Sequence, residues 1–373
     1  MKIAIDLTSL ADNFSGIERM ALSISKELLE CDKESRYQLF FKGEIHSDFV
    51  KYGTDSRIEM VVLPVRKKLW FSQMTLMLAL KQSDADVFLF LAFPSPYFLR
   101  KKRIVNTIHD MGCRDCPETM KKYMALYFWI LDCNSVKVSE RIITISEFSK
   151  NRILHWLGKA EGKVEVLYLG VPEHMYQYTP ETDRMMKRQL QLPEEYILCL
   201  STLEPKKNME LLVEAFVELL REGKCSCSLV LAGRKGWKMD NFLLNIPETY
   251  REKIIVTGYV KDEALPYLYH HAKVFVFPSF YEGFGLPPLE AMASGCPVIC
   301  SDIDVLKEIL GDMPVYFRNN DKDDLKKVLK KFLDGHYVLP GRGELILWST
   351  QYSYRKTAEK LRDDLLKTEK IGG

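Results

Sequence analysis

The stretch VFVFPSFYEGFGLPPLEAMASG, Val274 to Gly295, decides how the chain is read. Val274–Phe277 is a short, unbroken apolar run, as expected of a strand buried on both faces of a parallel sheet. Pro278-Ser279-Phe280-Tyr281 ends it, and a helix follows. Pro287 or Pro288 suits the first turn of that helix and Gly295 its C-terminal stop. Gly283 and Gly285 let backbone approach a ligand closely, while the unpaired N–H groups at a helix start suit phosphate. Two carboxylates bracket this nest, Glu282 in the loop and Glu290 in the first turns of the helix, with seven residues between them. Singly, Glu290 would read as a helix-dipole acid and Glu282 as a solvated one. Beside a phosphate site they need another task, and accepting hydrogen bonds from sugar hydroxyls supplies it. Glu282 would face one sugar and Glu290 another, on either side of a diphosphate.

The same style of sequence extends outward in both directions. Strands are predicted in the first half at Lys2–Asp6, Tyr37–Phe41, Ile58–Leu63, Asp86–Leu91, Ile104–Ile108, Arg141–Ile145 and Val164–Leu167. In the second half they are Tyr196–Leu200, Ser228–Ala232, Ile254–Thr257, Val274–Phe277, Val298–Cys300 and Val315–Phe317. Helix-period segments such as Ile17–Leu29 and Thr119–Val138 lie between them. Apolar strands alternating with amphipathic helices give an α/β chain of two doubly wound domains. The boundary is expected at Gly170-Val171-Pro172, giving domains 1–171 and 172–352, with polar Pro180–Pro193 as connector. In the tail 353–373, Ser353 is a candidate N-cap and Tyr354, Ala358, Leu361 and Leu365 recur at helical spacing. That tail is expected to pack back on the first domain.

Composition agrees with two packed cores. The chain has 373 residues, 47% hydrophobic and 28% charged, which excludes disorder and collagen-like repeats. A net charge of +2 gives no electrostatic footprint for a nucleic-acid binder. The longest apolar run, Met124–Leu131, is far short of a membrane span, and no signal-peptide pattern precedes Ile3, so a cytoplasmic protein is expected. Nine cysteines without framework spacing suit reduced thiols. Cys113 and Cys116 have CxxC spacing, but Cys225-Ser226-Cys227 is poorly spaced to complete a zinc site. Arg66–Phe71 leads into Met74, Leu76, Met77, Leu78 and Leu80, and Arg100–Arg103 follows later. This face reads equally as a loose, peripheral contact with anionic lipid or as a core helix with a solvated rim.

EGFGLPPLE, with AMASGCPVICSD after it, resembles the E-x7-E motif of the family 4 glycosyltransferases. The resemblance implies the GT-B fold, two Rossmann-like domains facing a central cleft, and sugar transfer with retention of configuration. It makes Glu282 the acid on the donor-sugar hydroxyls and Glu290 the acid on the nucleotide ribose. Gly283, Phe284, Gly285 and Leu286 would hold the diphosphate and sugar. Thr202-Leu203-Glu204-Pro205-Lys206-Lys207-Asn208 looks like the family's phosphate-binding element. Lys207 matches its lysine, while Thr202 stands where the arginine often is, leaving Lys206, Arg234 or another residue for the second charge. Asn208 reads as the N-cap of a helix with Leu212, Ala215, Phe216, Leu219 and Leu220 on one stripe. His109, in Asn106-Thr107-Ile108-His109-Asp110, looks like the family's first-domain histidine that reaches the donor sugar, and Asp110 would orient it or the loop. Gly16 matches the glycine of the first strand–helix turn. Tyr259 lies in a segment resembling the base-contacting loop, and Ser146 reads as a structural N-cap.

The resemblance therefore implies a metal-independent enzyme without a cofactor, moving a hexose from GDP-mannose or a UDP-sugar to a glycan or lipid-linked acceptor in surface polysaccharide biosynthesis. The EPKKN style leans toward mannosyl donors. Asp84-Ala85-Asp86 has the bare spacing of a metal motif but reads as a turn. A non-catalytic nucleotide- or glycan-binding module is the alternative. A dinucleotide oxidoreductase lacks support, because Pro288 replaces the third fingerprint glycine and Glu282 has no role in it.

Overall fold

A computed structural model describes residues 1–10, 16–65, 71–101, 103–202, 204–234 and 246–367. Arg66–Trp70, Lys102, Leu203 and the last six residues of the tail lie outside them. Among the described residues thirteen strands, paired only in parallel, form two sheets. The first contains β1 (Lys2–Asp6), β2 (Arg36–Lys42), β3 (Ile58–Leu63), β4 (Val87–Phe90), β5 (Ile104–Thr107), β6 (Arg141–Thr144) and β7 (Val164–Val166), in the order β3-β2-β1-β4-β5-β6-β7. The second contains β8 (Tyr196–Leu200), β9 (Ser228–Ala232), β10 (Ile254–Gly258), β11 (Val274–Phe277), β12 (Val298–Ser301) and β13 (Val315–Phe317), in the order β10-β9-β8-β11-β12-β13. Every strand read from the apolar runs is present, with ends shifted by at most a residue or two. The apolar runs are strands because both faces are covered: β4, β9 and β11 are buried at every position.

The chain divides into two units, Met1–Gly170 with the segment from Ser353, and Val171–Tyr352. Each sheet reverses its strand order once, between β1 and β4 in the first and between β8 and β11 in the second. Ligands of open α/β sheets bind at such switch points, beyond the strands' carboxyl ends.

Within the first unit, helix α1 (Gly16–Cys31) buries Met20, Ile24 and Leu28 along one face. The tail helix, Tyr354–Lys367, packs against α1 and buries Tyr354, Ala358, Leu361 and Leu365, the spacing visible in the sequence. Polar ties fix it: Thr357 donates to the Tyr168 carbonyl at 2.6 Å and Lys360 to that of Val166 at 2.8 Å, while Arg362 reaches the Cys31 carbonyl at 3.0 Å. The helix expected from Thr119 begins at Lys122 and runs to Val138 (α2). Pro117 instead starts a short 3-10 turn through Thr119, and Met120 is extended.

In the second unit, the polar stretch expected to be a connector is largely a helix, Pro180–Leu190. Its good helix formers suffice locally, and tertiary ties anchor it. Asp183 accepts the Tyr178 hydroxyl at 2.6 Å and pairs with His271, and Met186 is buried. The sequence hid this because the segment lacks an apolar stripe. Helix α3 (Met209–Arg221) does have one, with Leu212, Ala215, Phe216 and Leu219 buried and Leu220 packed at its edge. Asn208 holds the cap position but does not cap. It adopts the left-handed conformation, φ 53°, and its side-chain amide donates to Asn320 at 2.8 Å. Ser146 caps its helix as read, accepting from the Ser149 N–H at 3.0 Å.

Candidate functional site

The second unit's switch point brings the loop after β8 against the loop after β11. The Lys206 carbonyl accepts both the Phe280 N–H at 3.1 Å and the Ser279 hydroxyl at 2.9 Å, which sews the two loops together. Lys207, the next residue, sends its ammonium to Glu282 Oε1 at 2.5 Å and lies over the Phe277 ring. Ser279, fully buried, lies 2.5 Å from the same Oε1 and can donate there in place of the Lys206 carbonyl. A further buried serine, Ser301 at the end of β12, donates to the Ser279 carbonyl. Glu282 is itself 7% exposed. Its burial is tolerable because one oxygen meets both a countercharge and a hydroxyl; an unpaired carboxylate there would cost several kcal/mol. Oε2 has no hydrogen-bond partner among the described residues.

Helix α4 (Leu286–Ala293) follows, with Gly285 at its N-cap and prolines in its first turn. Gly285 has φ +99°, and a Cβ there would lie 2.4 Å from Leu306 Cδ2. Its glycine is thus demanded by backbone conformation and by packing on Leu306, a reason the sequence alone did not show. At the other end Gly295 (φ +71°) closes the helix: its N–H reaches the Met292 carbonyl at 2.9 Å and the Cys296 N–H reaches that of Ala291 at 2.9 Å, a Schellman pair. Glu290 is 1% exposed and accepts the Tyr269 hydroxyl at 3.2 Å. Phe284 and Leu286 are buried, Phe284 edge-on to Tyr352.

The neighbouring strand ends contribute too. Arg234, after β9, lies over the ring of Tyr259, after β10, at 5.2 Å, and Tyr259 is 40% exposed. Thr202, after β8, uses its carbonyl to accept the Glu204 N–H at 2.8 Å. Thr202, Lys207, Arg234, Tyr259 and Glu282 therefore all lie in segments that follow strands of one sheet, while Glu290 lies farther along α4 against Tyr269. Lys207 lies just before α3, with its ammonium paired to Glu282. Ser279 and Tyr269 escaped the sequence reading. Ser279 was in the quoted stretch, yet a serine ending a strand carries no signal of the carboxylate it will hold.

In the first unit, His109 follows β5 and its Nε2–H donates to the Ala92 carbonyl, just past β4, at 3.0 Å. Burial holds its pKa below the ordinary histidine value, against the opposing pull of that carbonyl and of Asp110. Asp110 secures the loop, accepting the Gly112 N–H at 2.7 Å. Gly16 opens α1, and a Cβ there would meet nothing within 4 Å among the described residues, so packing does not demand the glycine. Asp84 and Asp86 are partners of Lys2, through its ammonium and its backbone N–H. Among the described residues no group of three or more His, Cys, Asp or Glu is placed to hold a metal ion.

Two family models match this chain and meet near the boundary of its two units. Residues 14–174 match Glycosyltransferase Family 4, and residues 182–339 match Glycosyl transferases group 1. The chain belongs to these glycosyltransferases. Among relatives, O-antigen chain mannosyltransferase B of Escherichia coli is 36% identical over 226 residues, covering 60% of this chain and 59% of that protein. The serotype-specific mannosyltransferase WbdA of Escherichia coli is 32% identical over 226 residues, 59% of this chain and 28% of that one. The matches thus span about three-fifths of the first relative's length and under a third of the second's. In fold, the chain is similar to Anabaena HepE, solved in complex with UDP and glucose, with a TM-score of 0.75 at 16% identity over 98% of this chain and 100% of that one. Both sheets are those of the GT-B glycosyltransferases.

Proposed function

We propose that the chain transfers a hexose, with retention, from a nucleotide-sugar to a glycan or lipid-linked acceptor of a surface polysaccharide. The donor is GDP-mannose, with a UDP-sugar as the close competitor. One observation carries the reading: buried Glu282, at the switch point, has Oε1 held by Lys207 and Ser279 while Oε2 is left to accept a sugar hydroxyl. The mannosyl preference is supported by the names of the two relatives and by the EPKKN segment.

In this reading Glu290 takes the ribose and the backbone N–H groups at the start of α4 face the diphosphate. Lys207 and Arg234 offset the charge that builds on the leaving diphosphate, which itself assists deprotonation of the acceptor. His109 contacts donor hydroxyls through a neutral ring. The reaction needs neither metal nor cofactor. Release of GDP from GDP-mannose and of UDP from UDP-glucose, measured with lipid-linked oligosaccharide acceptors, tests the assignment. Binding of a nucleoside diphosphate without release from any donor would favour the non-catalytic module instead.

A peripheral membrane contact belongs to the same proposal. No helix among the described residues is long and apolar enough to cross a membrane. On α2, however, Tyr123, Leu126 and Ile130 are exposed at helical spacing, beside exposed Lys121 and Lys122. Phe98 is 64% exposed next to Arg100, and Met74 and Leu78 are exposed while Leu76, Met77 and Leu80 are core. Arg103 is committed to Glu140 and the Leu365 carbonyl. Flotation with anionic vesicles at low salt, lost at high salt, is the expected result; no flotation at low salt defeats it.

A further inference from the structure

The nine cysteines carry no disulfide, yet two of them touch. Cys225 Sγ and Cys227 Sγ lie 3.2 Å apart in the loop that joins α3 to β9. The sulfurs need close by only about 1.2 Å to reach the ~2.05 Å of an S–S bond. The two thiols are also unequal. Cys225 is half-buried between exposed Lys224 and Ser226, whereas Cys227 is 4% exposed and packs into the core under β9. Cations flank the loop: the Lys253 ammonium donates to the Ser226 carbonyl at 2.9 Å, and Lys273 lies nearby, paired with Glu195 at 3.4 Å.

We propose that Cys225 and Cys227 form a thiol–disulfide exchange site, which takes small-molecule disulfides such as oxidised glutathione and closes into an internal Cys225–Cys227 disulfide. Cys225 is the attacking sulfur. The Cys227 thiol beside it and the Lys253 and Lys273 charges hold its pKa below the ordinary thiol value, and the same contact pushes Cys227 up. The Cys225 thiolate attacks one sulfur of the small disulfide, forming a mixed disulfide and expelling one thiolate. Cys227 then loses its proton and attacks Cys225 Sγ, breaking the mixed bond and releasing the second small thiol. Two protein thiols are oxidised and one disulfide is reduced to two thiols. Cys31 and Cys133 are half-buried to a similar degree, but burial raises their pKa values, so they serve as internal controls. The site stands at the amino end of the second sheet, opposite Arg234, and so is independent of the glycosyltransferase reading.

The test uses the full chain, oxidised glutathione, alkylation with N-ethylmaleimide and mass spectrometry of tryptic peptide 225–234, which carries both thiols and no other cysteine. The oxidised peptide is expected to lose two hydrogens and take no label. In the reduced protein, Cys225 should alkylate about tenfold faster than Cys31 or Cys133. Cys227→Ser should trap one glutathione on Cys225. Should that variant not fold, Cys225→Ser, at the more exposed position, should show no disulfide and an unmodified Cys227. Full labelling of both thiols after oxidation, or a Cys225 no faster than Cys31, overturns the proposal.

Discussion

Each unit holds a buried carboxylate that its neighbours treat differently. Glu282 in the second unit is 7% exposed and Asp132, on α2 of the first, is 6% exposed. Glu282 meets the Lys207 ammonium and the Ser279 hydroxyl on a single oxygen. Among the described residues Asp132 meets only the Cys113 thiol, at 3.7 Å, and lies within the field of Asp110. Burial first, and that like charge second, push Asp132 up to about 7. Similar burial thus comes with different partners: a cation and a hydroxyl reach Glu282, a thiol reaches Asp132. Asp132 holds its proton through most of the acid range.

Removing the partner is the strongest way to break this contrast. Lys207→Ala leaves Glu282 buried and unpaired and should cost about 3–5 kcal/mol of stability. Nucleoside-diphosphate affinity should fall roughly 10–100-fold if the lysine also serves the phosphate. Urea unfolding and calorimetric titration measure the two effects. Adding Glu282→Gln to Lys207→Ala should restore most of the stability, and no recovery would mean that the ion pair is not what the lysine supports.

Glu282→Gln alone keeps the shape but removes the charge. Turnover should drop about 10²–10³-fold, with diphosphate affinity nearly intact. Wild-type turnover would remove Glu282 from the sugar site. Glu290→Gln should do the reverse, weakening nucleotide binding.

For Asp132 the sign follows from its raised pKa. Between about pH 4 and about pH 7 the folded state holds a proton that the unfolded chain has released, so stability falls as pH rises through that window. Relative to Asp132→Asn, the wild type should lose on the order of 2–4 kcal/mol across it and change little above it. Parallel stability curves for the two proteins would refute a protonated Asp132.

The smallest effect sharpens the comparison. Ser279→Ala removes the hydroxyl that serves Glu282 Oε1 and the Lys206 carbonyl, while the Phe280 N–H still ties the two loops, so kcat should fall about 5–30-fold while diphosphate affinity stays. Ser279→Thr, which keeps the hydroxyl, should recover part of the loss. Equal losses in the two variants would assign Ser279 to packing.

Much of this was readable beforehand, for local reasons. Strands such as Val274–Phe277 and Ser228–Ala232 announce themselves as apolar runs, and Gly295 and the prolines mark the ends of α4 through backbone conformation alone. Glu282 and Glu290 are visible because strand, loop and helix N-terminus follow one another within a single stretch. Asp132 was invisible: it sits inside a helix whose apolar residues dominate the pattern, and only the packing of α2 under the loop from His109 to Cys116 buries it. The helix at Pro180–Leu190 was missed because it lacks an apolar stripe, and its long-range anchor, Asp183 to His271, joins positions far apart in the chain.

The sequence by itself determined the two doubly wound sheets, the elements that carry the glycosyltransferase motif, and the residue types offered at each strand end. These depend on hydrophobic period, turn chemistry and short spacing, all of which act over a few residues. Only the tertiary structure decided which of those residues meet. Lys207 and Glu282 are 75 positions apart, and they pair because β8 and β11 are neighbours in the sheet. Ser279 reaches the same oxygen because its loop is sewn to the Lys206 carbonyl. Strand order is a property of the whole sheet, so the partner of a buried charge is chosen there and not in the local sequence.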